Sequence, residues 1–297
     1  MPISHLLCTL LVVVIWGLNF IFVKFALDEM SPLMLCALRF LLASLPAIFF
    51  IKPPAIPFRM VATYGLIMFA MQFSFFFLGM HAGMTPGLAS LVMQVQVFFS
   101  MLFAAIFLKD KPVPIQVFGA LLAFGGIAIV ALHCDQNVTI SGFILILLAA
   151  ATWGFGNLIT KKAKKINMMA LVVWGSFVAS IPLTVLAFLF EGPETIFTSL
   201  RAISIWGVVS VLYIVYFSTW IGYGVWNWLI SRYPVNTIVP FTLLVPVVGL
   251  VSSVIILDEP FQQWKLLASI MVLTGLCFHI VSARFASPVK ETIANSQ

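Results

Sequence analysis

Ten runs of apolar residues, divided by short polar breaks, constrain this chain more than any other feature. They lie near 3–27, 31–51, 59–80, 85–108, 113–132, 138–161, 168–190, 203–230, 235–257 and 262–283. A helix needs roughly 20 such residues to cross the hydrocarbon core of a bilayer. In lipid the backbone must satisfy its own hydrogen bonds, so runs of this length and order predict helices. The breaks, such as Lys52-Pro53-Pro54, Lys109 to Pro114 and Asp258 to Pro260, are too short to hold a soluble domain. The expected fold is therefore an all-α integral membrane protein with ten transmembrane helices. Composition agrees: charged residues make up 8% of the chain, too few to clothe a soluble globule, which carries about 25%.

The basic residues read as topology signals. With the N-terminus in the cytoplasm, the inner side takes Lys52, Arg59, Lys109, Lys111, Lys161, Lys162, Lys164, Lys165, Arg232, Arg284 and Lys290. Lys24, Arg39, Arg201 and Lys265 remain outside or within helices. This asymmetry puts both termini in the cytoplasm. It also accounts for the net charge of +6 without nucleic acid. The N-terminus lacks a basic leader region and reads as the first spanning helix, not as a removable signal.

A duplication runs through the chain. Trp16-Gly17-Leu18-Asn19 with Lys24 in the first helix is echoed by Trp153-Gly154-Phe155-Gly156-Asn157 with Lys161 in the sixth. Pro46 and Pro182 occupy similar positions in the second and seventh helices. Leu108-Lys109-Asp110 ends the fourth helix as Leu257-Asp258-Glu259 ends the ninth. The two repeats are expected at 1–135 and 136–286, with a cytoplasmic tail at 287–297. Five helices per repeat is an odd number, so the second copy enters the membrane from the opposite side. Such a 5+5 inverted repeat places a substrate cavity at the interface of the halves, near the midplane.

With the Trp-Gly-x-Asn start, Ala37-Leu38-Arg39-Phe40 and the doubled pattern, the chain resembles the drug/metabolite transporter superfamily, EamA type, over its whole length. Gly87 to Gln96 and Leu243 to Leu250 resemble the exporters of cysteine and O-acetylserine within it. The resemblance implies ten helices around a central cavity and export of small amino acids or related metabolites by alternating access, in a bacterial inner membrane. Lys109-Asp110 departs from the Gly-Glu that the family often carries there.

Substrate candidates are polar groups at mid-helix, which are costly in hydrocarbon unless they face a cavity or another helix. Asn19, Gln72, Gln94, Gln96, Asn157 and Asn227 offer donors and acceptors suited to a neutral or zwitterionic solute. They could equally join helices to one another. Gln94 and Gln96 face apart on a regular helix, and Gln94 is preferred. Trp16 and Trp153 lie deeper than interfacial anchors and read as cavity lining or helix packing. Trp220, Tyr223 and Asn227 share one face of the eighth helix and form the best stripe in the second half. Arg39, about 12 Å inside the second helix, could bind a substrate carboxylate, or snorkel, or tie helix ends. Pro46, Pro182, Pro240 and Pro246 are hinge candidates, or static bends.

Other functions lack their marks. Cys8, Cys36, Cys134 and Cys277 are scattered, with no metal-ligand spacing, so neither metal nor cofactor is expected. A membrane enzyme acting on lipid-linked substrates would need clustered acids, a nucleophile site or a sizeable polar loop. A channel would show a filter sequence or a charge ring. An importer of the same fold remains open as an alternative. All nine carboxylates fall in loops or near helix ends, which points to facilitated diffusion or exchange without a buried acid relay. Oligomeric state is not readable.

Overall fold

The computed structural model describes residues 1–110, 112–133, 138–162, 167–233 and 238–285. The 287–297 tail, the junction at 134–137 with its repeat boundary, and the side chains of Asn227 and Pro240 lie outside the described residues.

The ten expected helices are present. In the first half α1 spans Ile3–Leu27, α2 Pro32–Phe49, α3 Phe58–His81, α4 Pro86–Leu108 and α5 Pro114–Leu132. In the second, α6 spans Ile140–Lys162, α7 Met168–Phe190, α8 Ile205–Trp226 with a continuation to Arg232, α9 Phe241–Leu257 and α10 Gln263–Phe285. Among the described residues, nine are long and apolar enough to cross a membrane, and α9 is the shorter tenth. Pro32, Pro86 and Pro114 open α2, α4 and α5, where the missing N–H has no helical partner to lose. Asn167 and Ser204 cap α7 and α8 by accepting from backbone N–H groups. A short helix, Pro193–Ala202, lies unexpectedly between α7 and α8. Its sequence is too short and polar to span, so it reads as a break. It buries Ile196 beside Leu33 and Met34.

The packing repeats as the sequence does. α2 lies on α7 and α5 on α10, while α1 lies against α8 and α9 as α6 lies against α3 and α4. Exchanging the halves maps this set onto itself, down to single residues. A Cβ on Gly17 would come 2.5 Å from Val248 Cβ, and one on Gly154 would come 2.7 Å from Phe99 Cβ. Such bare backbone lets helices approach closely. α3 and α8 each contain a widened π turn, at Gly65–Met71 and Tyr213–Ile221. α4 carries a tight 3₁₀ turn at Met93–Val95, and another, Val239–Leu243, leads into α9. Since consecutive crossings alternate in direction, the two five-helix halves form an inverted repeat.

The prolines break this likeness. Pro46 follows the α-helical part of α2, which ends at Ser44, whereas Pro182 lies inside an unbroken α7. Pro246 is the third residue of the α-helical stretch from Leu244, where a proline forfeits little.

α4 and α9 end alike. Lys109 (φ 58°) and Asp258 (φ 51°) both adopt the left-handed conformation. The next N–H bonds back, from Asp110 to Ala104 O at 3.2 Å and from Glu259 to Ser253 O at 3.3 Å, as in a helix C-terminal motif that favours glycine. The Gly-Glu of the resembling family thus has a physical reason. Replacing Lys109 by glycine is expected to stabilise the protein by about 1 kcal/mol, read as a higher melting temperature in detergent. Asp258→Gly should gain less, because aspartate tolerates this conformation better than lysine.

Candidate functional site

Arg39 is the most unusual residue of the interior. It lies on α2 and is 3% exposed, so the snorkelling alternative does not describe it. One terminal nitrogen, Nη2, donates to Thr219 Oγ1 of α8 at 3.3 Å. The guanidinium lies over the Phe73 ring of α3, 4.2 Å from its centroid. Among the described residues, Nε and Nη1 have no hydrogen-bond partner. A cation stripped of water with unmet donors is costly, and the aromatic face offsets only part of that. Asn19 Oδ1 and Gln72 Oε1 are likewise buried without partners. Buried polar atoms in native proteins are nearly always satisfied, so unmet donors and acceptors in one interior are unusual.

The aromatic candidates surround this region unevenly. Trp16 donates its indole N–H to Ser218 O at 3.1 Å and packs on Tyr223 and Trp226 at 5.7 and 5.2 Å. Tyr223 is near enough to Arg39 for the two to interact electrostatically. Trp220 instead turns to α2, donating to Ala43 O at 3.0 Å. The π turn of α8 ends at Ile221, between Trp220 and Tyr223. Its wider turn shifts the register that i, i+3 spacing assumes, so the expected single stripe is divided between α2 and α1. Asn227, the third member, lies outside the described side chains.

The remaining candidates lie apart from Arg39. Gln94 donates to Thr242 O of α9 at 3.4 Å, and Gln96 Oε1 is buried without a partner. Trp153 is half-buried against the core. Asn157 donates to Ser100 Oγ of α4 at 3.0 Å. It lines a cleft of about 400 Å³ with Ser100, Asp110, Gln116 and His279. That cleft opens at the end of the bundle that carries the termini. Among the described residues, no group of His, Cys, Asp or Glu could hold a metal ion.

Sequence reasoning missed Thr219 and Phe73, the direct neighbours of Arg39. Threonine and phenylalanine are ordinary in apolar helices, and neither lies near Arg39 in the chain. It also left Lys265 among the residues outside or within helices. Lys265 is 4% exposed and its ammonium lies 2.8 Å from Glu259 Oε1.

The profile of the EamA-like transporter family matches residues 3–132 and, separately, 140–281. A protein of Escherichia coli K12 named "Probable amino-acid metabolite efflux pump" is 38% identical over 287 residues, 95% of this chain and 96% of its own. Its counterpart in Salmonella typhimurium LT2, with the same name, is 38% identical over 93% of this chain and 94% of its own. A solved crystal structure superposes with TM-score 0.65 at 16% identity, covering 97% of this chain and 100% of that one, which shows the fold alone.

Proposed function

The chain belongs to the EamA-like transporter family, a family of multi-pass membrane transporters and not of enzymes, and we propose that it exports small amino acids or closely related metabolites, with Arg39 receiving the substrate carboxylate. The observation that carries this reading is the buried Arg39 guanidinium, with two nitrogens unmet and no carboxylate bonded to it among the described residues. A free carboxylate supplies the missing acceptor and charge. A solute able to cross must also carry an ammonium or a neutral polar group, for which the carbonyl oxygens of Asn19 and Gln72 and the rings of Trp16 and Tyr223 are candidate partners. Cysteine and O-acetylserine have this chemistry.

The positive-inside asymmetry supports cytoplasmic termini. The cleft at that end, with Asn157 in its wall and Trp153 one turn away, is then the cytoplasmic entrance. Residues 1–135 and 136–286 serve as the two units that exchange roles, with Pro46, Pro182, Pro240 and Pro246 as the places to absorb bending. Every described acid stands at a helix end or in a loop, which favours exchange or facilitated diffusion over a buried proton relay.

Counterflow in proteoliposomes against a panel of amino acids and their metabolites tests the function. Saturable counterflow of a carboxylated, small solute is expected, and its absence across the panel overturns the reading. Asn157→Leu and Trp153→Ala are each expected to lower that flux by at least about tenfold, a loss of ~1.4 kcal/mol or more, with membrane abundance unchanged. Unchanged flux in both variants would remove α6 from the pathway.

A further inference from the structure

At the end of the bundle away from the termini, three carboxylates each cap a helix of the opposite half. Glu29, after α1, accepts from the N–H and hydroxyl of Ser204 at 2.7 and 2.6 Å, at the start of α8. Glu191, after α7, accepts from Ser31 Oγ and the Leu33 and Met34 N–H groups at 2.6, 2.7 and 3.0 Å, at the start of α2. Glu259, after α9, accepts from Thr85 Oγ1 at 2.7 Å and the Gly87 N–H at 3.4 Å, at the start of α4. The Ser253 hydroxyl and the Lys265 ammonium complete its shell. A carboxylate there meets both unbonded N–H groups and the positive end of the helix dipole.

The inverted repeat says where the matching joints lie at the other end, and there they are clefts. The end of α2 meets the start of α7 as the end of α7 meets the start of α2. That joint holds a cleft of about 500 Å³, lined by Pro53, Pro54, Asn167 and Ala170 among others. The end of α4 corresponds to the end of α9, so Asp110 stands for Glu259 and Gln116 for Lys265. Both line the other cleft, of about 400 Å³. The same two joints are thus closed by carboxylates at one end and open at the other.

We propose that the Glu259–Lys265 pair, with its bonds to Thr85 and Gly87, is the gate of the end away from the termini, and that it breaks and re-forms in each transport cycle. The inference rests on the alternating-access reading above, though on none of its substrate assignments. Glu259 is 8% and Lys265 4% exposed. A pair so far from water gains little as static glue, since its desolvation cost roughly cancels its attraction. What it supplies is a bond that is satisfied in one arrangement and costly to leave half-made, as a two-state element requires. Burial works against the Glu259 charge, but the Lys265, Ser253 and Thr85 hydrogen bonds outweigh it and hold the carboxyl below its usual range. With this pair bonded and the opposite joint a cleft, the arrangement is closed away from the termini and open toward them.

Thiol labelling in nanodiscs tests this on a chain with Cys8, Cys36, Cys134 and Cys277 replaced by alanine. Two reporters are made separately. Ser90→Cys lies just beneath the gate, where Ser90 is 1% exposed, and Met101→Cys lies in the opposite cleft. With the gate intact, a maleimide should react slowly at position 90 and quickly at 101. Adding Lys265→Met should raise the rate at 90 by at least about tenfold and lower the rate at 101, as removing one partner of a buried pair biases a two-state equilibrium. Lys265→Arg should restore the original pattern. An unchanged rate at 90 overturns the gate, and so does a joint rise at 90 and 101, which signals loosening of the bundle. Should Lys265→Met fail to fold, Thr85→Val takes its place on the same reporters. It should likewise speed labelling at 90 and slow it at 101, and any other pattern overturns the gate. Labelling uses no substrate, so it can succeed or fail independently of the counterflow panel.

Discussion

Arg39→Met is expected to lower counterflow of carboxylated substrates by about 100-fold while raising the thermal stability of the empty protein. The two effects have one cause. In the structure the guanidinium is 3% exposed and makes one long hydrogen bond, to Thr219 at 3.3 Å. Removing a charge held under those conditions relieves a desolvation cost, and an apolar side chain of similar length keeps the packing on Phe73. If the guanidinium receives the substrate carboxylate as proposed, it makes charge-assisted bonds worth about 1.5–3 kcal/mol each, and their loss sets the fall in flux. Arg39→Lys should rescue poorly, because an ammonium keeps the charge but not the planar fork. An uncharged substrate amide should lose its disadvantage in Arg39→Met. If Arg39 were only a tie between α2 and α8, the variant would lose stability and flux together. Counterflow paired with a melting curve separates the two roles.

Gly275→Leu is expected to abolish folded protein, seen as loss of a monodisperse peak in detergent. α5 and α10 cross with backbones almost touching. A Cβ on Gly275 would lie 2.3 Å from Gly119 O and 3.0 Å from both the Cβ and N of Ala123. A Cβ on Gly119 would lie 2.6 Å from Gly275 O, and one on Gly126 2.8 Å from Ala268 O. The obstacles are backbone carbonyls, which cannot swing aside as a side chain does, so the helices must separate. Overpacking costs about 1–3 kcal/mol where neighbours can adjust, and here the cost should exceed that range. Gly224→Ala is the matched control, since its new Cβ would meet only the flexible tip of Met169, at 3.4 Å. Similar behaviour of the two variants would sink the view that backbone contact at the α5–α10 crossing sets this cost.

The helices are legible in the sequence because a bilayer imposes its thickness on the chain. The observed bounds, such as Ile3–Leu27 and Met168–Phe190, follow the apolar runs closely. The repeat is legible too, in the paired Trp-Gly steps and in the acids after α4 and α9. The Gly17 and Gly154 contacts show that these echoes are packing positions. Arg39 stands out because a guanidinium at mid-helix is expensive wherever it points. The Trp220–Tyr223 stripe fails because spacing assumes a regular helix, and α8 contains a π turn through Ile221. The opposition of Gln94 and Gln96 rests on the same assumption, while a 3₁₀ turn covers Met93–Val95. Neither irregularity has a marker in residue type, since both arise where packing, not propensity, sets the local turn.

By itself the sequence determined the number, order and alternation of the helices and the polar groups they must hide, because water, lipid and backbone hydrogen bonding act on each segment separately. Only the tertiary structure decided which of those groups meet. Arg39 finds Thr219, Glu259 finds Thr85 and Glu191 finds Ser31 across more than half the chain, and such pairings depend on how helices rotate and cross. Which end is sealed was decided there as well. Two near-equal halves carry nearly equal sequence signals, and only packing makes one joint close on a carboxylate while its twin stands open.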